Sequence, residues 1–253
     1  MKFTKTIEVK NIFNRISHKY DFLNNLLSFG LHRLWKRKLV NLLEPLNGED
    51  WADLCCGTGD LAFLISERVS PRGSITGIDS AEDILNIAKK KSDIKKNKFI
   101  KWEIKDVLEI NDYSKNFDGI CMSYGLRNLN NVEEGIKKVF DLLKDKGRAG
   151  FLDFNHATRD SLSNIFQKIY LRLVVVTISR LFNLGPEYAY IEKSISNFPK
   201  KNELINIAKE VGFKKAEYRT ILGGQMGILI LTCLLYTSPS PRDYAASRMP
   251  SSA

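Results

Sequence analysis

Asp53-Leu54-Cys55-Cys56-Gly57-Thr58-Gly59-Asp60-Leu61-Ala62 is the stretch on which the fold turns. It continues a short apolar run, Trp51 to Cys55, that favours a strand, and it leads into a helical pattern. Closely spaced glycines permit the tight turn that joins strand to helix, and backbone N–H groups at a helix start can face a ligand. Further strand-like runs lie at Ser74 to Ile78, Phe99 to Ile104, Phe117 to Ser123 and Ala149 to Phe154, separated by residues at helical spacing. Strands alternating with helices predict a parallel, doubly wound α/β sheet. The pattern ends with Ala216 to Leu222, a Gly223-Gly224 break and Met226 to Thr232, which predicts a terminal antiparallel hairpin instead of another crossover.

Upstream of the first strand, Val9, Ile12, Phe13, Ile16, Tyr20 and Leu23 recur at three- and four-residue steps, as do Leu31, Leu34, Trp35, Leu39 and Leu42. Two amphipathic helices are therefore expected over residues 5–43, ahead of a cofactor-binding core at 51–154. Residues 155–198 read as a helical insertion, because Leu162 to Leu184 keeps helical spacing with an unusually wide apolar stripe. That stripe suits either a core helix or a lid that also touches membrane or a greasy ligand. A last helix and the hairpin occupy 199–232. No repeat or linker interrupts the chain, so residues 1–232 are read as a single domain.

The 253 residues are 43% hydrophobic and 27% charged, which excludes intrinsic disorder. Lys and Arg outnumber Asp and Glu by 39 to 29, a net charge of +10 that suits phosphates or acidic lipid without naming either. Cys55, Cys56, Cys121 and Cys233 match neither a disulfide framework nor a zinc site, so no metal is expected. The N-terminus lacks the apolar core of a signal peptide, and no stretch of about 18 residues is free of polar side chains. A cytoplasmic location follows as the expectation.

Residues 233–253 show neither helical nor strand periodicity. Back-translated, Cys233 to Asp243 and Ser247 to Ala253 match a transposase-type sequencing adapter on either side of a short index. The expectation is that this tail is adapter read-through, and that no function belongs to Cys233 or beyond. Without Arg242, Arg248 and Asp243 the net charge is +9.

The glycine loop supports two cofactors. Gly57, Gly59 and Ala62 satisfy the dinucleotide pattern, and Asp79 ends the second strand where an acid grips a ribose diol. S-adenosylmethionine is favoured over a nicotinamide by three features: Asp53 four residues before the first glycine, Asp106 after the third strand, and the terminal hairpin. Asp53 would meet the ligand's ammonium group, while Asp106 and the Val107 backbone would address adenine. The competing role for each acid is a helix cap, more readily for Asp106 than for Asp79.

Tyr20-Asp21-Phe22-Leu23-Asn24-Asn25-Leu26-Leu27-Ser28-Phe29-Gly30-Leu31-His32-Arg33-Leu34-Trp35 resembles the first signature of the UbiE/MenG family of quinone C-methyltransferases. Tyr124-Gly125-Leu126-Arg127-Asn128, Gly185-Pro186-Glu187-Tyr188, Ser194 to Pro199 and Gly223 to Gly227 resemble the same family, which together covers residues 5 to 232. The second signature departs, with Lys144-Asp145-Lys146-Gly147 and Leu152-Asp153-Phe154-Asn155 where the family expects a Lys-Pro-Gly-Gly-like turn and then a Glu. That departure, with Leu54-Cys55-Cys56, resembles the branch acting on demethylphylloquinone or demethylmenaquinone; a ubiquinone-type prenyl benzoquinol is the alternative.

The resemblance implies a class I S-adenosylmethionine-dependent methyltransferase, Rossmann-like, with a seven-stranded mostly parallel sheet. It places cofactor contacts on Thr58, Asp79, Asp106, Val107 and Ser123, and sets Arg127 and Asn128 beside the reacting ring; Gly57 and Gly59 of the turn and Ser80 after the second strand are further expected cofactor contacts. His32 is a candidate base or a brace for the N-terminal helices. Tyr20, Asn24 and Tyr188 either line the ring pocket or stabilise the lid, and His18 and His156 are read as structural. The implied partner is a prenylated quinol fetched from a bilayer, with the apolar insertion and Lys19, Arg33, Lys36, Arg37 and Lys38 making transient contact with a quinone-containing membrane surface. A homodimer and a quinone-biosynthesis complex both stay open. A methyltransferase for a soluble small molecule and a non-catalytic partner in quinone synthesis are competing readings. Nucleic acid is not an expected partner, since no RNA-binding module or aromatic platform is recognisable.

Overall fold

The computed structural model describes residues 9–15, 17–155, 185–221 and 224–233. The apolar stripe at 162–184, His156 and the tail from 234 onward lie outside the described residues.

Seven strands form one sheet: β1 (Asp50–Leu54), β2 (Ser74–Asp79), β3 (Ile100–Ile104), β4 (Phe117–Ser123), β5 (Leu143–Phe154), β6 (Lys215–Ile221) and β7 (Met226–Thr232). Their spatial order is β3-β2-β1-β4-β5-β7-β6. Strands β1 to β5 pair in parallel, whereas β7 runs antiparallel between β5 and β6. This is the expected parallel sheet with its terminal hairpin. The order reverses between β1 and β4, so the loops leaving their C-terminal ends diverge and open a crevice there.

Among the described residues from Tyr20 onward, the α-helices are α1 (Tyr20–Ser28), α2 (Leu31–Leu43), α3 (Asp60–Val69), α4 (Glu82–Ile94), α5 (Val132–Leu142), α6 (Gly185–Ser196) and α7 (Lys201–Val211). Strand alternation distributes the core to both sides of the sheet. On one side Ala52, Leu54, Ile120 and Met122 pack with Ile136 and Val139 of α5 and Leu204 and Ala208 of α7. On the other, Trp51, Ile75, Cys121 and Leu152 pack with Leu39, Val40 and Leu43 of α2 and Leu61, Ala62, Ile65 and Val69 of α3. Asp53 belongs to this second side by register, a carboxylate inside an apolar layer.

The N-terminal region departs from its pattern in two ways. The first apolar run is divided: residues 9–15 are helical, Ser17–Lys19 form a 3₁₀ turn, and α1 starts at Tyr20. Within α2 the buried face is His32, Lys36, Leu39, Val40 and Leu43, while Leu34 is 57% exposed. The polar pair at 32 and 36, one turn apart, faces inward because that end of the helix meets the glycine loop and not an apolar wall. Strand β5 also begins six residues earlier than the apolar run at Ala149, because Leu143 pairs with Phe117 of β4 ahead of a register shift, after which the pairing resumes at Arg148 with Gly119.

Leu39 is fully buried, and a Cβ placed on Gly150 of β5 would sit 2.7 Å from its Cδ1. Replacing Leu39 by Ala is expected to lower unfolding free energy in urea by about 2–5 kcal/mol, because the close-packed α2–β5 contact leaves a cavity. Leu34→Ala, on the exposed face, is expected to change it by less than about 0.5 kcal/mol.

Candidate active site

The turn after β1 carries the site. Cys55, Gly57 and Gly59 all adopt positive φ, at 52°, 56° and 84°. A Cβ on Gly59 would come within 2.5 Å of the Trp102 ring, so conformation and space both require glycine there. Two carboxylates pin the turn. Asp53 accepts the Ala62 N–H at 2.9 Å and lies 3.6 Å from Cys121 Sγ. Asp79 accepts the Gly57 N–H at 2.8 Å and the Ala81 N–H at 2.9 Å, tying the turn to the end of β2. Burial raises the pKa of both, that of Asp53 to about 7 against the opposing pull of the Ala62 N–H and Lys36.

Beside this turn a cavity of about 50 Å³ is lined by Cys55, Ser80, Asp106, Val107 and Asn128, among others, and Val9 closes one side. Four of the residues expected from sequence thus share one hollow at the crevice. Asp106 also accepts the Leu108 N–H at 2.9 Å, capping the short 3₁₀ turn Val107–Glu109. Capping uses one oxygen of a carboxylate that has further acceptor capacity. Ser123 ends β4 at the same rim.

The N-terminal helices form the second wall. The Tyr20 ring lies over Gly57, where an added Cβ would be 3.7 Å from it, and Tyr20 bonds to the Asn24 side chain. Burial raises the Tyr20 pKa despite the nearby Lys36 ammonium. The Thr58 hydroxyl donates to Asp21 at 2.7 Å, and Asp21 pairs with Lys91 at 2.5 Å, so α1, the turn and α4 are fastened together. Ser28 Oγ donates to Asn24 O at 2.6 Å and lies 2.8 Å from His32 Nδ1. A hydroxyl has one hydrogen, and Asn24 takes it. Nδ1 therefore carries the imidazole hydrogen and Nε2 is left as an acceptor. Burial first, and then Lys36, push the His32 pKa down to about 4, so the ring is neutral at physiological pH and weakly basic.

Lys36, which the basic pattern assigned to a membrane-facing surface, is instead buried at 5% exposure. Its Nζ lies 2.8 Å from Asp60 Oδ2 and 5.8 Å from the Tyr124 ring centroid. Burial opposes the ammonium, but the Asp60 carboxylate outweighs it and the pKa is raised.

The third wall follows β4. Tyr124 adopts φ 60°, which turns the chain so that Arg127 and Asn128 face back toward the strand ends. Arg127 is 7% exposed; its Nη1 donates to Tyr124 O at 2.8 Å and lies 3.3 Å from Asp153 Oδ1, and its guanidinium lies 5.1 Å from the Phe154 ring. Arg127 Nε is buried without a hydrogen-bond partner among the described residues. Asn128 Nδ2 donates to Tyr124 O at 2.9 Å, while its Oδ1 accepts the Tyr190 hydroxyl of α6 at 3.1 Å.

Sequence reasoning did not place Lys36, Asp60, Asp153, Tyr124 or Tyr190 in the site. A trace of each was present: a polar i, i+4 pair in an apolar helix for Lys36, and the departing second signature for Asp153. Tyr188 falls in α6, and its side chain lies outside the described residues. His18 is exposed. No group of three metal-ligating side chains converges among the described residues, and none of the described helices is long and apolar enough to cross a membrane.

The model of the ubiE/COQ5 methyltransferase family matches residues 1–231. The chain is 38% identical over 228 residues to the "2-phytyl-1,4-naphtoquinone methyltransferase" of Nostoc punctiforme, covering 90% of this chain and 99% of that one. It is 37% identical to the chloroplastic "2-phytyl-1,4-beta-naphthoquinone methyltransferase" of Arabidopsis thaliana, covering 88% and 86%. Among solved structures, an S-adenosylmethionine-dependent methyltransferase from Aquifex aeolicus superposes with a TM-score of 0.57 at 15% identity, over 79% of this chain and 89% of that one, a likeness of fold.

The buried imidazole sets a measurable pH dependence. Unfolded His32 takes a proton near pH 6.5, but the folded ring resists until about 4, so its contribution to stability falls as pH drops through that interval. Asp53, raised to about 7, acts in the opposite direction between about 3.8 and 7. The difference between wild type and a His32→Asn variant isolates the first slope. Urea denaturation from pH 4 to 7 is expected to show the wild type gaining on the variant as pH rises, with most of the gain complete by about 6.5.

Proposed function

Because the chain belongs to the ubiE/COQ5 methyltransferase family, we propose that it methylates a ring carbon of a prenylated naphthoquinol, in the pathway to phylloquinone or menaquinone. It is an S-adenosylmethionine-dependent methyltransferase. Support for the substrate class comes from relatives of that printed activity aligned over nearly their whole length. The geometric observation that carries the reading is the buried Arg127 at the crevice rim, with Nε unpartnered among the described residues and Asn128 beside it.

The residues present suit the cofactor. The turn keeps two glycines where side chains would fill the space under Tyr20 and against Trp102. Asp79 retains lone-pair capacity for a ribose diol beyond its bonds to backbone N–H groups, with Ser80 adjoining it. Asp106 and Val107 line the hollow where adenine would sit, and Asp53, Gly57, Thr58, Gly59 and Ser123 would complete the contacts. S-adenosylmethionine supplies an electrophilic methyl group when bound.

The protein's task is to make the ring carbon nucleophilic. A quinol hydroxyl resembles Tyr in acidity, near a pKa of about 10, and losing its proton charges the ortho carbon. Arg127 remains protonated and cannot be the base. Its guanidinium stabilises the developing phenolate or acidifies a bound water that relays the proton, a contribution on the order of 2–4 kcal/mol. Asp153, held by Arg127, keeps that guanidinium oriented. Asn128 holds the water or a ring oxygen, positioned by Tyr190. The neutral His32 suits hydrogen-bond acceptance at Nε2 more than full proton removal, given its low basicity. Tyr20, Asn24 and Tyr188 line the ring pocket in this reading.

A long-tailed quinol must come from a bilayer, where each buried CH₂ is worth about 0.8 kcal/mol. Exposed Leu34 beside exposed Arg33, Arg37 and Lys38 supports transient contact of α2 with an anionic membrane surface. The unit carrying the activity spans residues 1–232, in keeping with the end of the family match at 231 and of β7 at Thr232.

The test is methyl transfer from labelled S-adenosylmethionine to demethylated prenyl-naphthoquinol and prenyl-benzoquinol, side by side under reducing conditions. Label in the naphthoquinol is expected. Label in the benzoquinol alone would move the substrate to the ubiquinone type, and label in neither, from protein that binds the cofactor, would return the substrate to soluble molecules. Arg127→Met is expected to lower kcat by about 10²- to 10³-fold while leaving cofactor binding within about twofold.

A further inference from the structure

We propose that Lys36 is the counter-ion for the carboxylate of S-adenosylmethionine, and that Lys36 and Asp53 together receive the two charges of its amino-acid end. The proposal rests on the cofactor reading above and adds a residue to it.

Lys36 is a lysine in a place where lysines are rare, 5% exposed and pointing into the molecule from the inward face of α2. An ammonium has three donors. Among the described contacts Nζ bonds only to Asp60 Oδ2, at 2.8 Å, which leaves two donors without a protein acceptor in a buried setting. A buried charge held this way is costly unless a further acceptor fills the remaining donors. Asp60 is the first residue of α3, directly after Gly59, so the ammonium stands at the mouth of the glycine turn.

Asp53 faces the same place from β1. It is 1% exposed, and Lys36 and Asp53 interact electrostatically with each other. Tyr20 covers the turn from above and also feels the Lys36 charge. The turn is therefore flanked by one buried acid and one buried base, under an aromatic cover. An amino-acid end carries one ammonium and one carboxylate, so it would enter such a site without adding net charge. Asp60 need not surrender its partner, since one ammonium serves two carboxylates, and Lys91 lies a further 3.9 Å from Asp60 Oδ1. Neither the Lys89-Lys90-Lys91 run nor Arg127 offers the same combination: Lys91 is already paired to Asp21, and Arg127 is held on Asp153.

The experiment is calorimetric titration of the full chain with S-adenosylhomocysteine, decarboxylated S-adenosylmethionine and 5′-methylthioadenosine, which lacks the amino-acid end. Wild type is expected to bind S-adenosylhomocysteine about 10- to 100-fold more tightly than the decarboxylated ligand, the range of a charge-assisted contact. Lys36→Met is expected to erase that preference while keeping its affinity for 5′-methylthioadenosine, and Lys36→Arg is expected to keep most of the preference. If Lys36→Met does not fold, the ¹³Cε resonance of Lys36 in wild type, assigned with Lys36→Arg, decides: it is expected to shift on adding S-adenosylhomocysteine and not on adding 5′-methylthioadenosine. Equal binding of both carboxylate-bearing and carboxylate-free ligands by wild type, or equal weakening of all three in Lys36→Met, overturns the role of Lys36 and leaves the cofactor reading intact. Failure of all three ligands to bind wild type overturns the cofactor reading and this proposal with it.

Discussion

The turn between β1 and α3 holds three residues at positive φ in five positions, and it stays in that conformation because two carboxylates, the buried Asp53 and the half-buried Asp79, grip it from opposite sides. Asp53 fixes the start of α3 through Ala62, and Asp79 fixes the turn's crest through Gly57. Both pay a desolvation penalty that raises their pKa, and both recover part of it through backbone N–H donors. The consequence is that the crevice at the sheet's switch point is shaped before any ligand arrives. Asp53 and Asp79 sit on strands β1 and β2, and the turn between them leads directly into the start of α3.

The N-terminal helices turn this crevice into a pocket. Two ionic ties, Lys36 to Asp60 and Asp21 to Lys91, and the Thr58–Asp21 hydrogen bond fasten α1 and α2 to the elements that carry the turn. Apolar burial supplies the other half of the attachment, through Leu39, Val40 and Leu43 against α3 and β5. Leucine burial of this kind contributes more stability than the solvent-accessible Asp21–Lys91 pair, of a kind worth about 0–1 kcal/mol, while the buried Lys36 ammonium carries a desolvation cost against its attraction to Asp60, so the polar ties position more than they stabilise. Arg127, by contrast, is buried on Asp153 with one donor unfilled, an arrangement costly for folding and suited to meeting charge that develops elsewhere.

Much of the fold was legible because strand and helix periods are local. The runs at Phe117 to Ser123 and Met226 to Thr232 coincide with β4 and β7, and the terminal hairpin is antiparallel as its glycine break indicated. Period alone failed at α2. There the stripe through Leu31, Leu34 and Trp35 suggested one buried face, but the face that meets the turn carries His32 and Lys36, and Leu34 is left to solvent. A polar site inverts the usual rule that the apolar stripe marks the inside. The candidate cofactor residues were legible through spacing after strands, whereas Asp60, Asp153 and Tyr190 depend on contacts between elements far apart in sequence. Tyr190 reaches Asn128 across 62 residues, and no local pattern encodes that.

The pocket therefore depends on the joining of the N-terminal helices to the cofactor turn. Hydrogen–deuterium exchange of the full chain with and without S-adenosylhomocysteine tests it most directly. Protection is predicted to rise together in residues 20–43 and in residues 55–63. Protection confined to 55–63 and the strand ends, with 20–43 unchanged, would contradict it.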